Sequence, residues 1–314
     1  MKKISIILNC NGIGDILSSI PTIKYLYNVY NYKIPVFTSK PFLLKNYPYI
    51  DVYPISDVNQ YSDIYNIIST FQVGLYVHTR NDIRQLHSNS IGVELLPNEM
   101  NIEFYPDKYI KIDNLPKNYI VLHPSKNWPS RTWHPFRWQK LAILLNNLNI
   151  PIVIIGKDSS ELGTYNTQKP IFNIKIKNGL DLSNKIDIHQ TWHILNMSKI
   201  VVTMDSGILH LAGTTNSHII QLGSSINPKF RAPYRYGHQN YKYSYLLGSC
   251  NKYCASNSKY SFKLFNNHNT LPPVPFCLDN MDTIGKNCNI NMNIYKCHPD
   301  TNIVFNEIKR ILNI

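Results

Sequence analysis

The sequence has no long hydrophobic run and none of the common nucleic-acid-binding patterns. No apolar stretch approaches the roughly 18 residues that a membrane-spanning helix needs. The apolar run at 4–8 is shorter than the region of about seven residues that a signal peptide requires. It is better interpreted as a buried first strand, and the expected location is the cytoplasm. Zinc-finger spacing, a basic helix with heptads and an aromatic RNA-binding signature are all missing, so a nucleic-acid partner is not expected.

Acidic side chains are scarce. The 314 residues include 19 Asp and Glu against 32 Lys and Arg, a net charge of +13. This excess favours anionic partners, and nucleotide sugars, acidic lipid headgroups and nucleic acid all qualify. Peripheral contact with an anionic membrane is therefore one expectation. The alternative is an ordinary solvated surface, because much of the excess is lysine scattered along the chain.

Only one of the six cysteines, Cys10, lies before residue 250. Without a secretory signal, structural disulfides are not expected. The other five lack the CxxC…CxxC spacing of a standard zinc site. They are either small buried hydrophobic residues or thiolate ligands of a structural zinc or iron ion. These five are Cys250, Cys254, Cys277, Cys288 and Cys297.

Strand-like and helix-like segments alternate in the first third of the chain. Residues 3–9 form a β-branched run typical of a strand buried on both faces. A glycine turn at 11–15 and a helical pattern over 16–30 follow. The aromatic stretch at 41–65 is irregular. Further strand candidates lie at 34–39, 73–78 and 89–96.

The alternation restarts after a polar linker at 106–118. Predicted strands lie at 119–125, 150–156, 199–207 and 218–225, and predicted helices at 135–149, 188–199 and 208–214. Such alternation implies right-handed βαβ units and parallel sheets. It predicts two doubly wound α/β domains, at 1–115 and 116–242. Residues 243–300 form a cysteine-rich irregular segment, and 301–314 returns to a helical pattern.

The turns after the strands are the expected functional positions, because open parallel sheets bind ligands outside the carboxyl ends of their strands. The first turn, GIGDILSSIP at 12–21, places Asp15 at the start of a helix. A carboxylate there can accept a proton from an acceptor hydroxyl in a cleft. The structural alternative is a helix N-cap, a role that Asp favours. The turn is not a dinucleotide-binding fingerprint, because the third glycine of GxGxxG is missing.

The second turn, HPSKNWPSRTWHPFRW at 123–138, offers a hydroxyl and two cations on Ser125, Lys126 and Arg131. This set suits a diphosphate, which arginine binds with two parallel hydrogen bonds. The stretch also holds three of the four tryptophans. Their alternative role is to wedge the loop against the following helix, which is the role we expect for Trp138.

The third turn, VVTMDSGILHLAG at 201–213, joins an apolar strand to a helix. Asp205 can accept hydrogen bonds from sugar hydroxyls, and Ser206 and Gly207 can present backbone N–H groups to a phosphate. His210 lies on the first turn of the helix. The structural alternative is an N-cap box with a histidine buried by chance.

Two further turns are not specific on their own. Glu161 follows the strand in IIGKDSSE at 154–161, a position suited to a ribose hydroxyl. The QLGSS turn at 221–225 can flank phosphates.

In this order, the turns resemble glycosyltransferase family 9, the heptosyltransferase family. GDILSSIP matches the family's GD-x-x-x-x-x-P element, and HPSKNWPSRTWHPFRW follows its HP and K/R-x-W-P elements. DLSNKIDIHQ at 181–190 matches its L-x-x element. MDSGILHLAG reproduces its DSG-x-x-H-x-A signature, with Gly213 where alanine is frequent. The resemblance covers about residues 1–235 and departs at His134, where the family has proline, and at Arg131, where lysine is common.

The resemblance implies a GT-B fold, in which two doubly wound Rossmann-like domains face a central cleft and the helix at 301–314 packs back on the first. It implies inverting transfer without a catalytic metal or other required cofactor. Asp15 would be the general base. The donor-binding residues would be Ser125, Lys126, Arg131, Glu161, Asp205, Ser206, Gly207 and His210. Some relatives carry a cysteine finger, and YKCHPDTNIV at 295–304 resembles its last element.

The leading hypothesis is a glycosyltransferase that moves a sugar from a nucleotide-sugar donor to a saccharide or glycolipid acceptor. Heptose from ADP-heptose is one candidate, and the basic charge suits a phosphorylated glycolipid core, as in lipopolysaccharide biosynthesis. The alternatives are a sugar-nucleotide epimerase of the GT-B type and a catalytically silent nucleotide-sugar-binding protein. Asp15 argues against the epimerase, which needs no acceptor base. The intact set of Asp15, Asp205 and His210 argues against the binding protein.

Overall fold

The computed structural model describes residues 3–70, 79–124, 131–157, 174–257 and 295–314. The strand predicted at 73–78 lies outside these residues. Within them, no helix is both long enough and apolar enough to cross a membrane.

The first part of the chain builds a four-stranded sheet. All its strand pairs are parallel, in the order β3-β2-β1-β4, with Ile6 opposite both Val36 and Ile68. Short 3₁₀ helices at Pro41–Leu43 and Ile55–Tyr61 flank β3. The elements are β1 (Lys3–Leu8), α1 (Ile13–Ser18), α2 (Ile20–Tyr30), β2 (Ile34–Thr38), β3 (Ile50–Pro54), β4 (Tyr65–Thr70) and α3 (Ile83–Asn89).

The second part builds a six-stranded parallel sheet in the order β7-β6-β5-β8-β9-β10. Numbered from its own first strand, this is the 3-2-1-4-5-6 order of dinucleotide-binding domains. A 3₁₀ helix at Pro228–Phe230 follows β9. The elements are β5 (Ile120–His123), α4 (Pro135–Asn147), β6 (Ile152–Ile154), β7 (Gly179–Asp181), α5 (Ile188–Met197), β8 (Ile200–Thr203), α6 (Gly207–Ala212), β9 (His218–Leu222), β10 (Tyr243–Leu246) and α7 (Thr301–Leu312).

Apolar residues on both faces of the strands explain why the sheets are buried. Along β5, Val121 points into a core shared with the first sheet, whereas Ile120 and Leu122 point into a second core behind the second sheet. The shared core also includes Leu17 of α1 and Leu209 of α6, so the two sheets face each other through packed helices. The prediction of a doubly wound α/β fold with parallel sheets is confirmed.

The predicted first helix is divided at Ser19. The Ser19 hydroxyl and its backbone N–H both donate to the carbonyl of Ile16, at 2.7 and 3.1 Å. Pro21, which has no N–H, then occupies the first turn of α2. The helix α1 therefore ends at Ser18 and has only six residues. It begins at Ile13, inside the segment predicted to be a turn.

Two predictions around the first sheet are wrong. Residues 89–96 form no strand: α3 ends at Asn89, the chain turns, and Leu96 is 59% exposed. The stretch at 41–65, predicted to be irregular, contains β3 and both 3₁₀ helices of this part. Ile50 and Val52 pack β3 into the core, and the ring of Tyr53 stacks on Phe37 with 5.3 Å between the ring centroids. The strand was missed because tyrosines and prolines surround this short aliphatic alternation.

Two expectations about the C-terminal part also need correction. The irregular segment does not begin at 243, because β10 pairs with β9 as far as Leu246. The C-terminal helix α7 packs on the second sheet, not on the first domain. Its Val304 and Ile308 enter the core that contains Trp138. The indole of Trp133 also donates to the carbonyl of Pro299, just before α7, at 2.9 Å.

Candidate active site

The strand order changes direction at equivalent places in the two sheets, between β1 and β4 and between β5 and β8. Ligands of such sheets bind in the crevice at this point, outside the carboxyl ends of the strands. The Asp15 turn follows β1, and the Asp205 turn follows β8. The sequence therefore places its two most informative turns at the two switch points.

These two turns touch each other, although they come from different sheets. A side chain on Gly14 would lie 2.8 Å from Cδ2 of His210 and 3.4 Å from Cα of Gly207. A side chain on Gly207 would lie 3.2 Å from the backbone nitrogen of Gly14 and 3.0 Å from Cβ of Ile13. Glycine is required on both sides because the backbones approach so closely. The contact brings α1 and α6 together at one cleft.

Asp15 lies in the first turn of α1 and is half-buried. It is not the N-cap residue, since that position belongs to Gly12, so the structural alternative from the sequence does not describe its place. The carboxylate lies over Gly12, where an added Cβ would come within 2.3 Å of Oδ2. Burial raises the pKa of Cys10, and the negative charge of Asp15 raises it further. Burial lowers the pKa of His210, and the charge of Asp15 weakly opposes that shift.

Asp205 is 1% exposed and lies between two guanidinium groups. Nε of Arg131 donates to the Asp205 carbonyl at 2.8 Å and lies 3.3 Å from its Oδ2. Nε of Arg231 lies 3.9 Å from the same carboxylate oxygen. A buried carboxylate needs such compensation, because desolvating an unpaired charge costs several kcal/mol.

Arg231 is itself buried, and its guanidinium donates to the carbonyls of Asn81 and Phe230 at 3.2 and 2.8 Å. Burial lowers its pKa, whereas the charge of Asp205 raises it. A guanidinium stays charged at neutral pH despite such a shift. The site therefore keeps a fixed positive group beside Asp205.

His210 is buried, and burial lowers its pKa to about 4. Asp205 opposes this shift, and the nearby Arg84 and Arg231 reinforce it. The ring is therefore neutral at neutral pH. Its Nδ1 has no hydrogen-bond partner among the residues that the structure describes.

Ser206 turns its hydroxyl away from the cleft. The oxygen lies 3.2 Å from Oγ1 of Thr203 and 3.5 Å from Nδ1 of His123, at the ends of β8 and β5. His123 is buried, and burial lowers its pKa to about 3, so it too is neutral. This network holds together the ends of the two strands at the switch point.

The structure thus brings together six of the predicted site residues: Asp15, Arg131, Asp205, Ser206, Gly207 and His210. Ser125, Lys126 and Glu161 lie outside the described residues. In the QLGSS turn, Ser224 and Ser225 are buried, and the Ser224 hydroxyl accepts from the backbone N–H of Ile226 at 3.2 Å. That hydroxyl stabilises the turn.

Sequence reasoning missed Arg231, Arg84 and His87. Arg84 is fully buried on α3 and donates through Nε to Asp82 at 2.9 Å and through NH1 to the Ala232 carbonyl at 2.8 Å. His87 contacts the Asp15 carbonyl at 3.0 Å. These three residues lie in no motif. The only available signal was the presence of basic residues in the otherwise uninformative stretches after the strand candidate at 73–78 and after β9.

Three of the five C-terminal cysteines are described. Cys254 and Cys297 are buried, Cys250 is half-buried, and no disulfide joins any two of these three residues. Among the described residues, no group of three or more His, Cys, Asp or Glu side chains is arranged to hold a metal ion. Cys277 and Cys288 lie outside those residues, so the predicted structural metal remains a prediction.

The fold and the two facing turns are those of a GT-B glycosyltransferase. The family model described as glycosyltransferase family 9 (heptosyltransferase) matches residues 71–260, more than half of the chain, which therefore belongs to that family. The family and enzyme class predicted from the motifs are confirmed. No curated protein sequence matches the chain.

Several solved structures share the fold at low sequence identity. The iron-containing dodecameric glycosyltransferase TibC of enterotoxigenic Escherichia coli is 13% identical, with a TM-score of 0.68 over 99% of this chain and 78% of that chain. A family 9 glycosyltransferase of Veillonella parvula is 13% identical, with a TM-score of 0.56 over 78% and 85%. The ADP-heptose lipopolysaccharide heptosyltransferase II of E. coli is 14% identical, with a TM-score of 0.51 over 79% and 90%.

Proposed function

We propose that this chain is an inverting, metal-independent transferase that moves a sugar from a nucleotide-sugar donor to a saccharide or glycolipid acceptor. The observation that carries the proposal is the contact between the Asp15 turn of one sheet and the turn of Asp205 and His210 in the other. A carboxylate therefore lies near a cationic site, and its charge acts on Arg231. On this proposal, residues 1–115 bind the acceptor and residues 116–246 bind the donor.

In the proposed reaction, an acceptor hydroxyl displaces the nucleoside diphosphate from the anomeric carbon of the donor sugar. Asp15 accepts the proton of an acceptor hydroxyl, and the hydroxyl oxygen attacks the anomeric carbon from the face opposite the nucleotide. The bond between that carbon and the diphosphate oxygen breaks, and its electron pair leaves with the nucleoside diphosphate. Positive charge near the departing group comes from Arg131 and Arg231, which lie at Asp205. Such fixed groups stabilise the charge that develops in the transition state.

ADP-heptose is the first donor to test. TibC has been solved in complex with ADP-D-β-D-heptose, and it shares this fold with a TM-score of 0.69 at 13% identity. At that identity the likeness concerns the fold, so the sugar and the base are proposals for this chain. The neutral ring of His210 suits an uncharged sugar hydroxyl, because it can accept or donate one hydrogen bond.

For the acceptor we propose a phosphorylated glycolipid at an anionic membrane surface, supported by the net charge of +13. Co-sedimentation with vesicles of phosphatidylglycerol and of phosphatidylcholine tests this at two salt concentrations. Binding to the anionic vesicles alone, weakened by salt, is expected. Equal binding to both vesicles, or to neither, would contradict the membrane proposal without affecting the transferase.

The test of the function is nucleoside diphosphate release from ADP-, GDP-, UDP- and dTDP-sugars with pooled acceptors. Wild type is compared with Asp15→Asn. The matched control is Asp51→Asn, which changes a half-exposed aspartate of the same sheet on β3, away from the cleft. Chelator in a parallel reaction tests metal independence.

Acceptor-dependent release from one donor, lost in Asp15→Asn and kept in Asp51→Asn, is the expected result. General-base catalysis contributes about 10²- to 10⁴-fold, which sets the expected loss. No release from any donor by folded wild type would favour a binding protein. Release that needs no acceptor and leaves the sugar epimerised would favour the epimerase alternative.

A further inference from the structure

We infer that His87 is a positioning residue that fixes the turn carrying Asp15, an inference that rests on the proposed function. His87 lies on α3 and is fully buried. Its Nε2 lies 3.0 Å from the backbone carbonyl oxygen of Asp15, and its Nδ1 lies 3.2 Å from Oγ1 of Thr70. The ring therefore connects β4, α3 and the first turn of α1.

The chemistry of the two contacts assigns their directions. A carbonyl oxygen can only accept, so Nε2 must carry the proton that it donates to Asp15. In the neutral ring Nδ1 then accepts from the hydroxyl of Thr70, which can donate. Thr70 is 1% exposed at the end of β4. It thus orients a ring whose other nitrogen holds the Asp15 backbone.

The Asp15 carbonyl has a structural need for such a donor. In a longer helix it would accept from the N–H of Ser19, four residues on. Here the Ser19 N–H bonds to Ile16 instead, because α1 ends at that point. The last four carbonyls of a helix need partners outside it, and His87 supplies the one for Asp15.

The helix α1 cannot fix the position of Asp15 by itself. It has six residues, and its N-cap, Gly12, offers no side-chain hydrogen bond. Isolated helices shorter than about 12 residues are marginal in water. The location of the carboxylate therefore depends on the elements that hold α1 from outside, of which α3 is one.

The helix α3 is itself attached to the other half of the molecule. Asp82 caps its start by accepting from the N–H of Arg84 at 2.9 Å. The Arg84 guanidinium donates to the carbonyl of Ala232 and lies 4.7 Å from the ring centroid of Tyr234, both beyond β9. Arg84 and His87 are three residues apart and so lie on one side of the helix. The helix α3 thus links the donor half to the backbone of the proposed base.

The substitutions His87→Gln and His87→Asn separate the two contacts. The glutamine amide nitrogen reaches approximately to the position of Nε2 and can still donate to Asp15, whereas the shorter asparagine amide reaches only to the position of Nδ1. We expect His87→Asn to lower kcat about 10- to 100-fold, the loss typical of a reacting group misplaced by about 1 Å. His87→Gln should restore most of that loss, and neither should change the KM for the donor.

Two more variants complete the test. His193→Asn is the matched control, because Nε2 of His193 also donates to a backbone carbonyl, that of Asp107 at 2.7 Å, outside the cleft. It should leave kcat unchanged. Thr70→Val retains His87 but removes the hydroxyl that orients its ring. It should lower kcat less than His87→Asn does, and it carries the test if His87→Asn does not fold.

The measurement is the initial rate of ADP release from ADP-heptose with pooled acceptors, or the equivalent release from whichever donor the wild type uses, together with Tm for each variant. If Asp15→Asn turns over like wild type, the proposed function fails. If Asp15→Asn is inactive while folded His87→Asn and Thr70→Val keep the wild-type kcat, the positioning inference is overturned. Equal losses in His87→Asn and His87→Gln would also overturn it, because glutamine retains the donor.

Discussion

The two sheets have the same order of strands around their switch points, but they hold their charged groups differently. In the second sheet, Asp205 is 1% exposed between Arg131 and Arg231. In the first, Asp15 is half-buried, and the contact from His87 is made to its backbone rather than to its carboxylate. Stabilising a donor diphosphate needs fixed charged groups in a site that excludes water. A general base, in contrast, must be accessible to the hydroxyl of the acceptor. The difference therefore fits the two roles that we propose for these residues.

The two sheets also differ in the side chains that pack against them. The strands β5, β6 and β8 of the second sheet are aliphatic and buried on both faces, with Trp133 and Trp138 meeting edge to face at 4.9 Å behind them. The first sheet relies more on tyrosines. Tyr47 donates to the carbonyl of Glu103 at 2.6 Å, and Tyr49 contacts the carboxylate of Glu103 at 3.1 Å. These tyrosine rings are buried as well, but they also hydrogen-bond to Glu103, so the packing of the first sheet is more polar than that of the second.

The largest stability effect that we expect comes from Asp205→Asn. Removing the charge leaves Arg131 and Arg231 facing each other in a buried site, and breaking such a pair costs about 3–5 kcal/mol. Thermal unfolding should show a clearly lower Tm, and calorimetry should show weaker binding of ADP. Asp15→Asn is the comparison, because its carboxylate is half-buried whereas that of Asp205 is almost fully buried. Equal changes in Tm for the two variants would contradict the contrast between the sheets.

The next effect tests the two kinds of packing. Trp138→Ala should cost about 3–5 kcal/mol in the free energy of unfolding, because it empties a fully buried site. Tyr53→Ala should cost about 1 kcal/mol, because the Tyr53 ring is only partly buried in its stack on Phe37. Urea unfolding measures both. Similar costs would mean that the aromatic stack of the first sheet is as important as the core of the second.

Acid should destabilise the protein through its buried histidines. In the folded protein the pKa of His210 is about 4, whereas the unfolded value is 6.5. Between these values the unfolded chain binds a proton that the folded protein does not. The stability contributed by the neutral ring is complete above pH 6.5 and is lost as the pH falls toward 4, by about 3 kcal/mol in total. Urea unfolding at several pH values in His210→Gln should show a flatter acid limb, and an unchanged slope would contradict this assignment.

The last effect concerns Gly213, the residue that directly follows the DSG-x-x-H-x-A signature. A Cβ on Gly213 would lie 2.4 Å from Cβ of Pro233, so this chain uses glycine where alanine is frequent in the family. Gly213→Ala should cost about 1–3 kcal/mol through overpacking. The double variant Gly213→Ala with Pro233→Ala, which keeps one clashing Cβ but frees the loop to shift, should recover part of that loss. A fully stable single variant would show that the loop adapts freely.

Sequence reasoning was strongest in the second sheet. The strands β5, β6, β8 and β9 lie inside their predicted segments, and α4, α5 and α6 begin within one residue of the predicted positions. Their β-branched runs and helical spacing are local signals of burial. In the first sheet the same reasoning missed β3, because its alternation of Ile50 and Val52 is short and lies among tyrosines and prolines. It also predicted a strand at 89–96, where only a short apolar run exists.

The residues of the candidate site also divide into those that the sequence predicted and those that only the structure revealed. The sequence alone determined that the turns after β1 and β8 carry Asp15, Asp205 and His210, because each motif is contiguous and follows a buried strand. Only the tertiary structure decided that Arg231, 26 residues after Asp205, would approach its carboxylate, and that His87, 72 residues after Asp15, would hold its backbone. Local patterns record which residues are buried, but not which distant element will face them. That choice depends on how the two sheets and their helices pack, so it is made only when the chain is folded.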